Sequence, residues 1–79
     1  MSDALECDAE LDTSGLNCPL PLLKAKLALN RMVSGTVLKV IATDAGSQRD
    51  FRSFATLAGH ALLHEQSVNG VYSYWLRKA

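Results

Sequence analysis

The chain is poor in cysteine, with two residues in 79, eleven positions apart, which excludes a disulfide framework. It has no basic-then-apolar start of the kind that directs export, and no apolar run long enough for a bilayer. A reduced, cytoplasmic protein is the expectation. Neither sign of charge is in excess, because eight basic and eight acidic residues cancel. Aromatic residues are few: one Trp, two Tyr and two Phe, none interleaved with a continuous basic stripe. That excludes the stacking platform of a dedicated nucleic-acid binder. Low-complexity segments and linkers are also missing, so residues 1–79 read as one domain with 1–6 as a loose tail. A domain of this size buries only about 60% of its unfolded surface. It has no room for a deep enclosed site, and any chemistry is expected at an exposed residue.

What is present is regular. Cys7, Ala9, Leu11 and Thr13 alternate with Asp8, Glu10 and Asp12, the pattern of a strand with one buried and one wet face. Ser14-Gly15 ends it. From Pro19 to Val33 the pattern is helical, and Ser34-Gly35 is expected to stop the helix. Thr36 to Thr43 is β-branched and apolar, a buried strand. Asp44-Ala45-Gly46-Ser47 makes a turn, and Ser47 with Asp50 resembles a capping box for a second helix. Phe51, Phe54, Ala55 and Ala58 form that helix's apolar stripe, and Gly59 terminates it. Ala61 to Arg77 reads as two strands around Asn69-Gly70, the signal of a tight hairpin. A strand–helix–strand unit closes right-handed with parallel strands, whereas the hairpin is antiparallel. The expected fold is therefore α/β: a two-layer βαβαββ sandwich, its four-stranded mixed sheet carrying both helices on one face.

Charge is uneven along the chain. Residues 1–23 hold five acids and no base, and residues 24–39 hold Lys24, Lys26, Arg31 and Lys39 with no acid. The second of these makes one helix face basic.

The two prolines of the chain stand together in Cys18-Pro19-Leu20-Pro21. In a first helical turn they are tolerated, because those N–H groups lack intrahelical partners. Cys18 then falls at or next to the N-cap, where a thiolate is expected to accept the Leu20 amide and to benefit from the helix dipole. Both effects would lower its pKa from about 8.5 toward neutrality. No His is placed by the sequence beside Cys18, since His60 and His64 open the third strand, so a protease-type pair is not indicated. There is no Cys-x-x-Cys, and two Cys with two late His are too few for a trusted metal site. One-cysteine chemistry remains: a group carried as thioester, disulfide or persulfide. Cys7 starts a strand about 20 Å long at ~3.3 Å per residue, with Cys18 beyond its far end, and reads as incidental.

On a 3.6-residue period Pro21, Leu22, Ala25, Ala28, Leu29, Met32 and Val33 share the core face of the first helix. Leu20, Leu23 and Leu27 line a second stripe flanked by Lys24, Lys26 and Arg31. Either the second helix covers this stripe, or it is an apolar docking patch with a basic rim beside Cys18.

Asp12, Gly15-Leu16 and Cys18-Pro19-Leu20-Pro21 resemble the Cys-Pro-x-Pro signature and lead-in of the TusA (SirA-like) family of small sulfur carriers. Gly35, Asp44, Asp50, Gly59-His60 and Tyr72 to Lys78 are similar to its later landmarks, so the resemblance spans nearly the whole chain after the tail. It implies the same two-layer sandwich and a cytoplasmic carrier that takes sulfane sulfur as a Cys18 persulfide. It also implies a sulfurtransferase-type relay rather than a stand-alone enzyme, with no cofactor and no metal. The donor would be a cysteine desulfurase or rhodanese-like protein. The acceptor would lead to 2-thiouridine in tRNA or to sulfur oxidation. Pro19, Leu20 and Pro21 support the cysteine; Leu23, Lys24, Lys26, Leu27, Asp44, Arg49 and Asp50 are candidate partner contacts. With Leu20 between the prolines and Leu23 and Leu27 behind, this docking face is strongly apolar. A monomer without membrane or direct nucleic-acid contact is expected. Two other classes stand beside it: a regulatory or adaptor domain with a redox-sensing Cys18, and an RNA-contacting domain using the basic helix face.

Overall fold

The structure, a computed structural model, describes residues 6–79; apart from Glu6, which is exposed, the expected tail lies outside the described residues. Six elements follow in the order β1 (Ala9–Thr13), α1 (Leu20–Asn30), β2 (Val37–Ala42), α2 (Ser47–Ala58), β3 (Ala61–Val68) and β4 (Val71–Arg77). They form one four-stranded sheet of order β1-β2-β4-β3. β1 and β2 are parallel, while β4 is antiparallel to both β2 and β3, giving the mixed sheet that alternation and the hairpin signal imply.

The register assigns the faces. Ala9, Leu11 and Thr13 lie beside Leu38, Val40 and Ala42, which lie beside Leu76, Tyr74 and Tyr72. Both helices pack on this face: Ala25 and Leu29 of α1, and Phe51 and Ala55 of α2, join Leu38, Val40, Ala42, Tyr74 and Leu76 in one buried core. The Phe51 ring stacks on Tyr74 at 4.6 Å between centroids. On the opposite face Trp75 is nevertheless only 8% exposed. Lys39 lies over its ring at 5.2 Å and His64 tilts against it at 5.2 Å, so side chains of neighbouring strands do the covering that a helix does elsewhere.

The structure differs from the sequence pattern in several places, and β2 (Val37–Ala42) is one residue shorter at each end than the expected Thr36–Thr43 run. β1 begins at Ala9, and Cys7 is exposed rather than part of the buried alternation. α1 ends at Asn30, short of Val33. Its last carbonyls are taken by tighter i→i+3 bonds, Arg31 N–H to Ala28 and Met32 N–H to Leu29, and Val33 is left 74% exposed. The capping box of α2 does not form. Its N-cap is Gly46 with no side-chain bond, and Ser47 is buried and hydrogen-bonded to the Tyr74 hydroxyl at 2.6 Å. Finally, Ala58 of the expected apolar stripe is exposed. Gly59 closes α2 in the left-handed region at φ 79°, as expected of a C-terminal glycine. Asn69 and Gly70, at φ 52° and 80°, make the turn of the β3–β4 hairpin, whose twist suits paired strands.

The buried Ser47–Tyr74 hydrogen bond fixes the start of α2 to the middle of the sheet. Tyr74→Phe leaves the Ser47 hydroxyl without its partner and is expected to cost about 1–3 kcal/mol in urea unfolding. Adding Ser47→Ala should recover part of that loss; full additivity of the two changes would contradict the coupling.

Candidate functional site around Cys18

Parallel strands place their carboxyl ends, and the loops that leave them, at the same edge of a sheet. Here these are the β1–α1 loop, 14–19, and the β2–α2 loop, 43–46. A ladder of hydrogen bonds joins them. Thr13 Oγ1 donates to the Ile41 carbonyl at 2.6 Å, and the Gly15 N–H donates to Thr43 Oγ1 at 2.8 Å. The Cys18 N–H donates to Asp44 Oδ2 at 3.1 Å. Within the first loop Asp12 accepts both the backbone N–H and the hydroxyl of Ser14, which holds its carboxyl below the usual carboxylate range. Gly15 sits at φ 82°, a conformation costly for other residues, just where the chain reverses from strand toward helix.

Cys18 is exposed and lies one residue before the N-cap, Pro19, with the Cys18–Pro19 peptide cis and Pro21 in the first turn. The expected thiolate cap is absent: the Leu20 N–H donates instead to the Asn17 carbonyl at 2.8 Å. The thiol is turned to the other helix, and Cys18 Sγ donates to Asp50 Oδ2 at 2.7 Å. A carboxylate that accepts the S–H bond favours the neutral thiol. Together with partial desolvation and the charges of Asp50 and Asp44, this contact pushes the Cys18 pKa up from the ordinary thiol value. The expected lowering by cap and dipole is therefore reversed. The cap and the dipole belong to α1, whereas the group that decides comes from α2.

Asp44 and Asp50, proposed from sequence as partner contacts, thus touch the cysteine itself. Arg49 joins Asp50 and the cysteine around a groove of about 450 Å³ lined by Cys18, Ala45, Gly46, Gln48, Arg49, Asp50 and Arg52. Gln48 and Arg52 were not foreseen. Their signal was the position of the α2 start at the carboxyl edge of parallel strands. Arg52 is also held bidentate by Glu65 of β3, with both N–O distances 2.9 Å.

The leucine stripe of α1 is not covered by α2. Leu20, Leu23 and Leu27 are 46%, 47% and 61% exposed, beside exposed Lys24, Lys26 and Arg31. Behind them a second, apolar groove runs between the helices, lined by Leu22, Lys26, Asp50, Ser53, Phe54, Leu57 and Ala58. Asp50 belongs to both grooves, so the thiol groove and this apolar groove adjoin.

The two His are elsewhere. His60 precedes β3 at the opposite edge of the sheet, packs on Phe54 and accepts the Ala79 N–H at its Nδ1. Burial and nearby Lys78 keep its pKa below the ordinary imidazole value. His64 is on the helix-free face. Cys7 lies before β1, also at the far edge from Cys18, and both thiols are free. Among the described residues, no three of His, Cys, Asp or Glu are placed to hold a metal ion. No described helix is long and apolar enough to cross a membrane.

The family model described as sulfurtransferase TusA matches residues 9–78. The chain is 51% identical over 72 residues to the sulfur carrier protein TusA of Allochromatium vinosum, covering 91% of this chain and 95% of that one. It is 45% identical over 78 residues to the sulfur carrier protein TusA of Pseudomonas entomophila, covering 99% and 96%. Its fold matches the crystal structure of a SirA-like protein from Desulfitobacterium hafniense with a TM-score of 0.76 at 25% identity, over 87% of this chain and 95% of the other.

The raised thiol pKa is directly measurable. In a Cys7→Ser background, thiolate absorbance should titrate with a midpoint above that of the same cysteine in denaturant. A folded-state midpoint at or below the denatured one would contradict the Cys18–Asp50 geometry.

Proposed function

We infer the function of this chain from the family to which it belongs, the TusA sulfurtransferases: it is a sulfur carrier. We propose that Cys18 is the carrying residue. The observation supporting this most strongly is an exposed thiol at the carboxyl edge of the parallel strands, in a groove that shares Asp50 with an apolar groove between the helices, with the exposed leucines of α1 beginning two residues on. A carrier has to dock twice, once to receive and once to deliver, and an uncovered apolar stripe with a basic rim suits transient docking.

In loading, the Cys18 thiolate attacks the outer sulfur of a donor persulfide. A new S–S bond forms, the donor's S–S bond breaks, and the donor thiolate leaves and takes up the proton that Cys18 gave up. The exchange converts Cys18–SH and R–S–SH into Cys18–S–SH and R–SH, with no net oxidation. In delivery an acceptor thiolate attacks the outer sulfur and Cys18 leaves. Every step takes place at one sulfur chain, and the protein contributes position, charge and a landing surface.

The donor in this reading is a cysteine desulfurase or a rhodanese-like protein. The acceptor is a protein leading to tRNA 2-thiouridine or to sulfur oxidation, and Leu23, Lys24, Lys26, Leu27 and Arg49 contact these partners. The protein works in the cytoplasm as a monomeric single-domain carrier, without direct nucleic-acid contact. A redox-sensing Cys18 is less favoured by its environment, because sensor thiols are low-pKa thiolates, whereas the Asp50 contact pushes this thiol's pKa up.

Incubation with a cysteine desulfurase and cysteine, or with a rhodanese and thiosulfate, should add the mass of one sulfur atom, reversibly by reductant. Cys18→Ser should abolish the adduct and keep the fold. Sulfur retained by the serine variant would overturn the assignment. Leu23→Asp with Leu27→Asp should slow loading by a protein donor at least tenfold while alkylation of Cys18 by iodoacetamide stays unchanged.

A further inference from the structure

Asp50 stands in an unusual place for a residue beside a nucleophile. Its Oδ2 receives the S–H of Cys18 at 2.7 Å, across 32 residues of chain, and Asp44 holds the Cys18 backbone N–H at 3.1 Å from the same side. A nucleophilic cysteine is ordinarily activated by a base or a cation that favours the thiolate. Here two carboxylates surround it. The other charged groups at this groove are Arg49 and Arg52 of α2, with Lys26 of α1 beside Asp50 in the adjoining groove. Arg52 is engaged by Glu65, and among the described residues no cation is hydrogen-bonded to the Cys18 sulfur or ion-paired with Asp50.

We propose that Asp50, backed by Asp44, is a positioning residue that keeps Cys18 protonated and poorly reactive in the free carrier, so that the thiolate forms when a docked partner breaks the Sγ–Oδ2 contact. This rests on Cys18 being the carrying residue, and deepens that reading by giving the resting carrier a closed state. Asp50 borders both the thiol groove and the apolar groove, so a side chain entering the second meets the residue that controls the first. The Asp50 carboxylate at contact distance, with the charge of Asp44 nearby, disfavours a persulfide anion at rest, since like charges repel. Sulfur would then be held as the less nucleophilic Cys18–S–SH until the acceptor docks.

The test needs no sulfur donor. In the Cys7→Ser background, the rate of Cys18 alkylation by neutral iodoacetamide is followed by intact mass from about pH 6 to pH 10 for the parent, Asp50→Asn, Asp50→Glu and Asp44→Asn, each checked for fold by circular dichroism. Asp50→Asn should move the pH profile to lower pH and raise the rate at pH 7. Each unit of lowered pKa gives about tenfold more thiolate, partly offset by its lower nucleophilicity, for a net gain of about threefold. Asp44→Asn should give a smaller shift, and Asp50→Glu, which keeps the charge, should stay close to the parent. An Asp50→Asn profile that coincides with the parent's overturns the proposal, even if that variant still loads sulfur. A shifted profile in a protein whose parent takes up no sulfur would instead leave the gate standing and remove the carrier assignment.

Discussion

The parallel pairing of β1 with β2 is the constraint on which the rest depends. Its register, Ala9 with Leu38 through Thr13 with Ala42, sends both strands out of the sheet at one edge. The loops that follow then run side by side and cross-link through Thr13, Gly15 and Cys18 on one strand's exit and Ile41, Thr43 and Asp44 on the other's. A one-residue slip would turn every side chain of β1 to the opposite face. It would also move Cys18 out of reach of α2. The core protects the register: Thr13 is fully buried, with its hydroxyl satisfied by β2, and Leu38, Val40 and Ala42 have no alternative face to occupy.

α2 is set against this edge by a different anchor. Ser47 and Tyr74 exchange a buried hydrogen bond, and Phe51, one turn on, stacks on the same tyrosine. These contacts fix the helix's rotation about its axis. Asp50, three residues past Ser47, is thereby turned toward α1 and the thiol. Arg52 is turned the other way, onto Glu65 of β3. The orientation of one carboxylate beside one sulfur is thus settled by packing in the middle of the sheet.

Much of this was legible in the chain. Alternation in 7–13, of which the strand keeps 9–13, the Pro-x-Pro turn, the apolar β-branched run of β2, Gly59 and Asn69-Gly70 each carry local physics that the fold largely obeys, and together they order the six elements. The place of Cys18 just before a helix was also legible, because two prolines two apart have few places to go other than a helix start. What was not legible is non-local. Ser47 and Asp50 have the spacing of a cap, but a buried tyrosine from β4 and a thiol from the β1–α1 loop compete for them and win. The thiol's own helix points to a lowered pKa, and the shift has the opposite sign for the same reason. The contact that sets it joins residues 32 positions apart, and no window along the chain contains both.

The thiol groove and the apolar groove meet at Asp50 on a molecule whose principal dimensions are only 32 × 27 × 18 Å. In the proposed relay, a partner that fills the apolar groove while reaching Sγ takes up that side of the molecule. Giver and receiver of sulfur then compete for a single berth, and the carrier comes off the first before it meets the second. Throughput in that relay is governed by how quickly each complex falls apart. Tight binding to either side would slow the traffic, which is a reason for a landing surface this small on a protein this small.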